Sequence, residues 1–234
     1  MTSDSPSSGG FDGDSGQYFA EEPAVHSAPA TVTLSLPDLT VELQTDRGVF
    51  SADQIDLGTR ILLAEIPPLA PTATDVVDIG CGYGPVAVTL ASRAPWVTVH
   101  AVDTNRRARE LCQANATALG LDNIEVHAPA DVPDDLTVDT IYSNPPIRIG
   151  KTALHDLLDG WLDRLRFEGT AYLVVQKHLG ADSLATHLRQ RSWRVERLRS
   201  RRAYRVLEVC RSNNPATNSS HQNRAPRDSQ ETRS

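Results

Sequence analysis

A largely apolar run, Val76-Val77-Asp78-Ile79, passes directly into Gly80-Cys81-Gly82-Tyr83-Gly84 and then Pro85. Glycines at alternate positions permit backbone conformations that a Cβ forbids, and they leave the chain bare where another molecule approaches. Proline suits the first turn of a helix, because its missing N–H would have no partner there. The segment is therefore predicted to be strand, tight turn and helix start in succession, the βα unit of a parallel sheet covered on both faces.

The chain downstream repeats this alternation. Strands are expected at residues 76–79, 97–102, 124–126, 138–143 and 170–176, with helices at 85–93, 106–119, 152–165 and 182–190. The pattern then changes: runs at 194–198 and 205–209 are only six residues apart, too few for a helical crossover, so they form an antiparallel hairpin. Upstream, 31–36 and 41–45 alternate apolar and polar residues about Pro37-Asp38, which reads as another hairpin. A helix follows at 57–66, stopped by Pro67-Pro68.

With 234 residues, 39% of them hydrophobic, the chain supports one main core and little more. It divides into a disordered Ser/Gly/Asp-rich tail at 1–17, a hairpin-and-helix cap at 18–70, the main α/β domain at 71–211 and a second disordered, polar tail at 212–234. Cys81, Cys112 and Cys210 are odd in number, widely spaced and without a CxxC pair, so neither a disulfide framework nor a zinc motif is expected. Residues 1–17 hold three Asp, no Lys or Arg and no apolar run of the kind a signal peptide needs. No stretch approaches the ~20 apolar residues of a membrane span. The expectation is a cytoplasmic monomer with no metal and no membrane partner.

The glycine loop also narrows the choice of ligand. A dinucleotide loop favours Gly-x-Gly-x-x-Gly, whereas here the glycines run Gly-x-Gly-x-Gly behind Asp78, and Pro85 stands nearby. An acid beside the loop repels a pyrophosphate but suits the ammonium and sulfonium of S-adenosylmethionine. Asp78, Gly80, Cys81, Gly82 and Gly84 are accordingly expected to form the cofactor cradle. Asp103, 19 residues after Gly84 at the end of the second strand, is placed to take the ribose hydroxyls, and Asp131, after the third strand, to meet the adenine amine.

Ser143-Asn144-Pro145-Pro146 ends the fourth strand, at the sheet edge where α/β ligands bind. An exocyclic base amine has its lone pair drawn into the ring, so it must be aimed at an electrophile rather than deprotonated beforehand. The oxygen of Asn144 and the Pro145 carbonyl can each accept one amine hydrogen, and Pro145 and Pro146 stiffen the turn that aims them. No strong general base is then needed, and His155 and His178 are read as structural.

Together, Asp78 to Gly84 and Ser143 to Pro146 resemble the methyltransferase small domain family, and within it the small-subunit (16S) ribosomal RNA guanine-N2 methyltransferases. The likeness extends over residues 18–211. It includes Gly48-Val49-Phe50-Ser51 and Asp56-x-Gly58, which are similar to the segment lining the cofactor or substrate pocket in that family. The resemblance implies a Rossmann-like class I fold with a seven-stranded, mostly parallel sheet whose last strand is antiparallel. It also implies catalytic roles for Asn144, Pro145 and Pro146. Many relatives carry an aromatic residue after the second proline to stack on the base, whereas this chain has Ile147, so Phe50 or Tyr83 is expected to substitute.

Charge points to the partner. The net charge is −7, yet residues 189–211 hold nine Arg against two Glu. Arg199, Arg201, Arg202 and Arg205, with Arg148 and Lys151 beside Asn144, are expected to form one basic face that holds ribosomal RNA or the small ribosomal subunit. Guanine N2 is the favoured target. The same Asn-Pro-Pro chemistry serves adenine N6 and protein glutamine N5, and the motif does not separate them. A non-catalytic ribosome-assembly factor that binds S-adenosylmethionine is the reading from another class. It fits less well with an intact glycine loop beside an intact Asn-Pro-Pro turn.

Overall fold

The computed structural model describes Glu21 and residues 25–212. The tails expected at 1–17 and 212–234 fall outside these residues except for Ser212. In chain order the elements are β1 (Ala30–Ser35), β2 (Thr40–Thr45), α1 (Leu57–Glu65), β3 (Asp75–Ile79), α2 (Pro85–Arg93), β4 (Thr98–Val102), α3 (Arg106–Ala118), β5 (Ile124–His127) and β6 (Val138–Ser143). There follow α4 (Lys151–Asp163), β7 (Leu165–Gln176), α5 (Ala181–Gln190), β8 (Trp193–Arg201) and β9 (Tyr204–Arg211).

Strands β3 to β9 make one seven-stranded sheet in the order β5-β4-β3-β6-β7-β9-β8. Pairing is parallel from β5 to β7, and only β9 runs against its neighbours, slotting between β7 and β8. The last strand is thus antiparallel, as the resemblance implied, and it lies inside the sheet rather than at its edge. The gap within the terminal hairpin shrinks from the six residues expected to two, Arg202 and Ala203, with Arg202 left-handed at φ 52°.

The helix expected at 152–165 ends two residues early. The Arg164 N–H bonds to the Trp161 carbonyl, and Leu165 already pairs with Val138 as the start of β7. A helical reading of 164–165 rests on apolar spacing alone, and here pairing to a neighbouring strand outweighs it.

The sheet separates two apolar layers. On one face Leu90, Val86 and Cys112 of α2 and α3 pack with Ile61 and Leu62 of α1 and with Leu34 and Leu43 of the β1–β2 hairpin. The hairpin and α1 therefore share the core of the main domain. On the other face Leu154, Leu158 and Trp161 of α4 meet Leu184 and Leu188 of α5. No helix among the described residues is long and apolar enough to cross a membrane.

The sheet order fixes the location of any ligand. From β3 the chain proceeds outward to β4 and β5, then returns to β6 on the other side of β3. At such a switch point the loops after two adjacent parallel strands diverge to opposite faces and leave a crevice at the strands' carboxyl ends. Here those loops are 80–84 and 144–150.

Candidate active site

The crevice is a cleft of about 540 Å³ lined by Gly80, Gly82 and Asp103 on the β3–β4 side and by Asn144, Pro145, Pro146, Ile147 and Arg148 on the β6 side. Its volume falls in the ~300–1,000 Å³ range of small-molecule sites. Gly80, Gly82 and Gly84 all hold positive φ, from 56° to 92°. Nothing lies within 4 Å of where a Cβ would stand at Gly80 or Gly82, so the backbone faces open space there. At Gly84 a Cβ would meet the Cys112 sulfur at 2.7 Å, so this glycine serves the packing of α2 on α3.

Asp103 faces the cleft from the end of β4. One carboxylate oxygen accepts the Gly82 N–H at 2.9 Å and the other the Asn105 N–H at 2.8 Å, which ties the glycine turn to the neighbouring strand. Burial raises the Asp103 pKa, and the two backbone N–H groups and Arg109 partly offset it. Asp78 does not line the cleft. It is fully buried under the loop and accepts the Ala87 N–H of α2 at 3.1 Å. Burial, with the Asp103 charge nearby, pushes its pKa up to about 8.

A stability effect follows. Between about pH 4 and 8 the folded chain keeps the Asp78 proton that the unfolded chain has released, so stability should fall as pH rises, by up to ~1.4 kcal/mol per unit. Asp78→Asn removes that slope. Denaturant unfolding of both proteins without ligand from pH 5 to 8 should give a difference that shifts steadily in favour of the variant; parallel curves would exclude a neutral Asp78.

Asn144 is held by groups from the opposite end of the sequence. Its side-chain N–H₂ donates to Asp56 Oδ2 at 2.8 Å and to Thr59 Oγ1 at 3.1 Å. A carboxylate can only accept, so Asp56 fixes which way the amide points and leaves the Asn144 oxygen without a partner among the described residues. Asp56 is itself the N-cap of α1, accepting from the Thr59 N–H at 3.1 Å. Gly58 makes the approach possible, since a Cβ there would strike the Tyr204 ring at 2.7 Å and Asp56 Oδ2 at 2.8 Å. The Ser143 hydroxyl donates to the Ile79 carbonyl at 2.7 Å and clamps the ends of β6 and β3 together. The Pro145 carbonyl accepts the Ile147 N–H at 2.8 Å, so one of its two lone pairs is already used.

The segment before α1 is pinned over the cleft by α3. Asn115 accepts the Gln44 N–H at 2.7 Å and donates to the Gln44 and Tyr83 carbonyls, while Asn105 donates to the Gly48 carbonyl at 2.7 Å. Phe50 consequently lines the cleft and remains 46% exposed, and Ser51 beside it holds φ 55°. Tyr83 is buried, with its hydroxyl 3.4 Å from the Ser51 and Gln54 carbonyls, so it anchors this loop and cannot stack on a ligand.

The other expected residues scatter. Cys81 is buried beneath the loop, and Asp131 is exposed in a 3-10 turn outside the cleft, where Pro129 of the same turn is a lining residue. Lys151 is exposed at the start of α4 and is not part of the lining. The basic face expected of Arg199, Arg201, Arg202 and Arg205 with Arg148 and Lys151 loses Arg205, while Arg199, Arg201 and Arg202 stay exposed. Arg205 is buried and its guanidinium pairs with Asp182, and Arg199 bonds Glu65 at 2.8 Å. Arg201 and Arg202 line a separate depression of about 340 Å³ with Arg60 and Ile61 of α1, whereas Arg148 borders the cleft. The place of β9 is the cause for Arg205: it lies between β7 and β8 with residues 204–207 all buried, where only a salt bridge makes a cation tolerable.

The resemblance put Asp56 in a pocket-lining segment without giving it a role, and sequence reasoning did not place Thr59, Gln176 or Tyr204 in the site. Gln176 donates to the Tyr204 hydroxyl at 2.7 Å across paired strands, and both line the cleft. The further signal for Asp56 was its position as an Asx residue just before a predicted helix, which marks the cap but not the contact with Asn144.

The methyltransferase small domain family model matches residues 40–208. An uncharacterized protein YbxB of Bacillus subtilis (strain 168) is 31% identical over 195 residues, covering 82% of this chain and 96% of its own length. The ribosomal RNA small subunit methyltransferase C of Shewanella amazonensis is 29% identical over 164 residues, 68% of this chain and 47% of its own. Among solved structures, the Thermus thermophilus 16S rRNA N2 G1207 methyltransferase RsmC, in complex with AdoMet and guanosine, superposes with a TM-score of 0.67 at 21% identity. That match covers 81% of this chain and 52% of the other. The chain thus spans nearly all of the Bacillus protein and about half the length of the two ribosomal RNA methyltransferases. Fold, cleft and a family match over most of its length agree, and the chain belongs to the methyltransferase small domain family.

Proposed function

We propose that the chain transfers the methyl group of S-adenosylmethionine to an exocyclic amine, guanine N2 of small-subunit ribosomal RNA, in the cytoplasm. The observation that carries this reading is Asn144: its nitrogen is tied to Asp56 and Thr59, and its oxygen is left unpaired on a residue that lines the cleft. The names of the relatives, with their ribosomal RNA substrates, favour the RNA target.

The cleft fits the cofactor. The bare backbones at Gly80 and Gly82 border open space, and the Asp103 carboxylate, facing the same space, keeps lone pairs for ribose hydroxyls. When bound, S-adenosylmethionine supplies an electrophilic methyl group on a sulfonium. Gly80, Gly82 and Asp103 would hold it, and Asp78 acts from beneath by fixing the loop on α2. Asp131, exposed beside Pro129, would reach the adenine end only from the rim.

Asn144 does the aiming. Its oxygen accepts one amine hydrogen and the second lone pair of the Pro145 carbonyl accepts the other, which turns the nitrogen lone pair toward the methyl group. Pro145 and Pro146 hold φ and keep both acceptors still. Phe50 offers an exposed ring at the cleft mouth for the base to stack on, in place of the aromatic residue that Ile147 replaces. The target base must be unpaired or flipped, since a base amine inside a helix cannot enter the cleft.

The test incubates the protein with labelled S-adenosylmethionine and small ribosomal subunits, naked ribosomal RNA, DNA or release factor, then identifies the product by digestion and mass spectrometry. N2-methylguanine in RNA is expected. N6-methyladenine or methylglutamine would replace the guanine assignment, and cofactor binding without any product would favour the assembly-factor reading.

Phosphate contacts now fall to fewer arginines. Arg148, Arg201 and Arg202 have no ion-pair partner among the described residues, unlike Arg199 and Arg205. Replacing these three with Ala should flatten the dependence of log affinity on log salt by ~2 units, at ~0.7 per single-strand phosphate. A salt titration of RNA binding reads this directly, and an unchanged slope would make them merely solvated charges.

A further inference from the structure

Away from the cleft, three side chains from β4 and β5 converge on one point. His100 Nδ1 and His127 Nε2 are 3.3 Å apart, and Glu125 Oε2 lies 3.5 Å from each. A tetrahedral ion with bonds of ~2.0–2.1 Å to nitrogen and oxygen needs its ligand atoms ~3.3–3.4 Å apart. The observed triangle, with sides of 3.3, 3.5 and 3.5 Å, has that size. We propose that His100, Glu125 and His127 form a binding site for a tetrahedral divalent transition metal, zinc in its chemistry, with water in the fourth position.

Three further observations support the assignment. The far nitrogen of His100, Nε2, is 3.3 Å from Asp75 Oδ1, so a proton there is shared with a carboxylate and the Nδ1 lone pair is freed for a metal. Asp75 is in turn held by Arg166 at 2.8 Å, which keeps the carboxylate in place. Without an ion the cluster is poorly satisfied. The His100 Nδ1 lone pair and a Glu125 oxygen both turn to His127 Nε2, whose single N–H can serve only one of them well.

Access and position are also right. Glu125 is 57% exposed on its side chain while His100 is 6% exposed, so the donors open outward at the sheet edge and leave room for a water ligand. Helices α2 and α3 pack on the face of β4 and β5 that carries Val99 and Ala101, whereas His100 points to the alternate face, and there the β5–β6 connection supplies only a 3-10 turn and no crossover helix. The site would staple β5, a four-residue edge strand, to β4. Immediately beyond, the His127 carbonyl accepts the Asp103 N–H at 3.3 Å and Pro129 lines the cleft, so the staple stands just outside the cofactor wall. The proposal does not depend on the methyl-transfer reading.

The test titrates Co²⁺ and then Zn²⁺ into the untagged full chain, following the visible absorption of cobalt and the stoichiometry by calorimetry. One ion per chain is expected, with intense bands of tetrahedral cobalt and no thiolate charge-transfer band. Glu125→Gln and His127→Ala, both at the open side of the cluster, should weaken binding by about 10²-fold or more. Asp75→Asn should weaken it ~10–100-fold, as loss of an orienting carboxylate does. Circular dichroism confirms that each variant folds. Absence of stoichiometric binding in the parent would overturn the site, as would affinity unchanged in either Glu125→Gln or His127→Ala.

Discussion

Asn144→Ala is expected to lower methyl transfer by about 10²-fold or more while S-adenosylmethionine affinity stays within about threefold of the parent. The loss is that of one positioning contact at the reacting nitrogen, where misplacement alone can cost this much. Because Asp56 fixes the amide, Asp56→Ala should reproduce much of the defect in turnover, and the double variant should be little worse than Asn144→Ala. Asp56 also caps α1, so its alanine variant should lose about 1 kcal/mol of stability. Asp56→Asn should preserve both roles, since an amide oxygen can still accept from Asn144 and from Thr59, so activity and stability should largely return. Single-turnover rates together with calorimetric cofactor affinities decide the matter. An active Asn144→Ala protein would remove the proposed mechanism, and additive losses would detach Asp56 from it.

Asp103→Ala should act on the other side of the reaction, weakening S-adenosylmethionine binding at least tenfold. Two hydrogen bonds from ribose hydroxyls to a carboxylate, at ~1.5–3 kcal/mol each, would give more than that. Part is returned, because Asp103 is buried and its pKa is raised, so removing it relieves a desolvated charge. The variant also leaves the Gly82 and Asn105 N–H groups without their acceptor. Asp103→Asn keeps one acceptor oxygen and should fall between the two. Unchanged affinity in Asp103→Ala, or tight NADH binding by the parent, would sink the cofactor assignment.

Much of the fold was legible from the chain alone. Val76 to Pro85 specified strand, turn and helix through glycine conformation and proline placement, and those signals act over four or five residues whatever surrounds them. The short gap before Tyr204 likewise compelled an antiparallel hairpin. Charge misled where it was read without the third dimension. The arginines of residues 199–205 look continuous in one dimension, yet the central place of β9 buries Arg205 against Asp182, while Arg201 and Arg202 line a separate depression with Arg60 and Ile61 of α1. The same applies to Asp78, which sits beside the glycines in sequence but beneath them in space, capturing the Ala87 N–H.

The sequence by itself determined the alternation of elements, the glycine turn and the Asn-Pro-Pro end of β6, because each is written in neighbouring residues. Tertiary structure alone decided which groups face one another. Asp56 reaches Asn144 across 88 residues, and His100 reaches His127 across 27. Both meetings follow from sheet order: β6 returns beside β3 under the N-terminus of α1, and β5 pairs with β4 in the register that sets Glu125 opposite His100. No local preference encodes such a register; it is fixed by burying the apolar faces of all the strands at once.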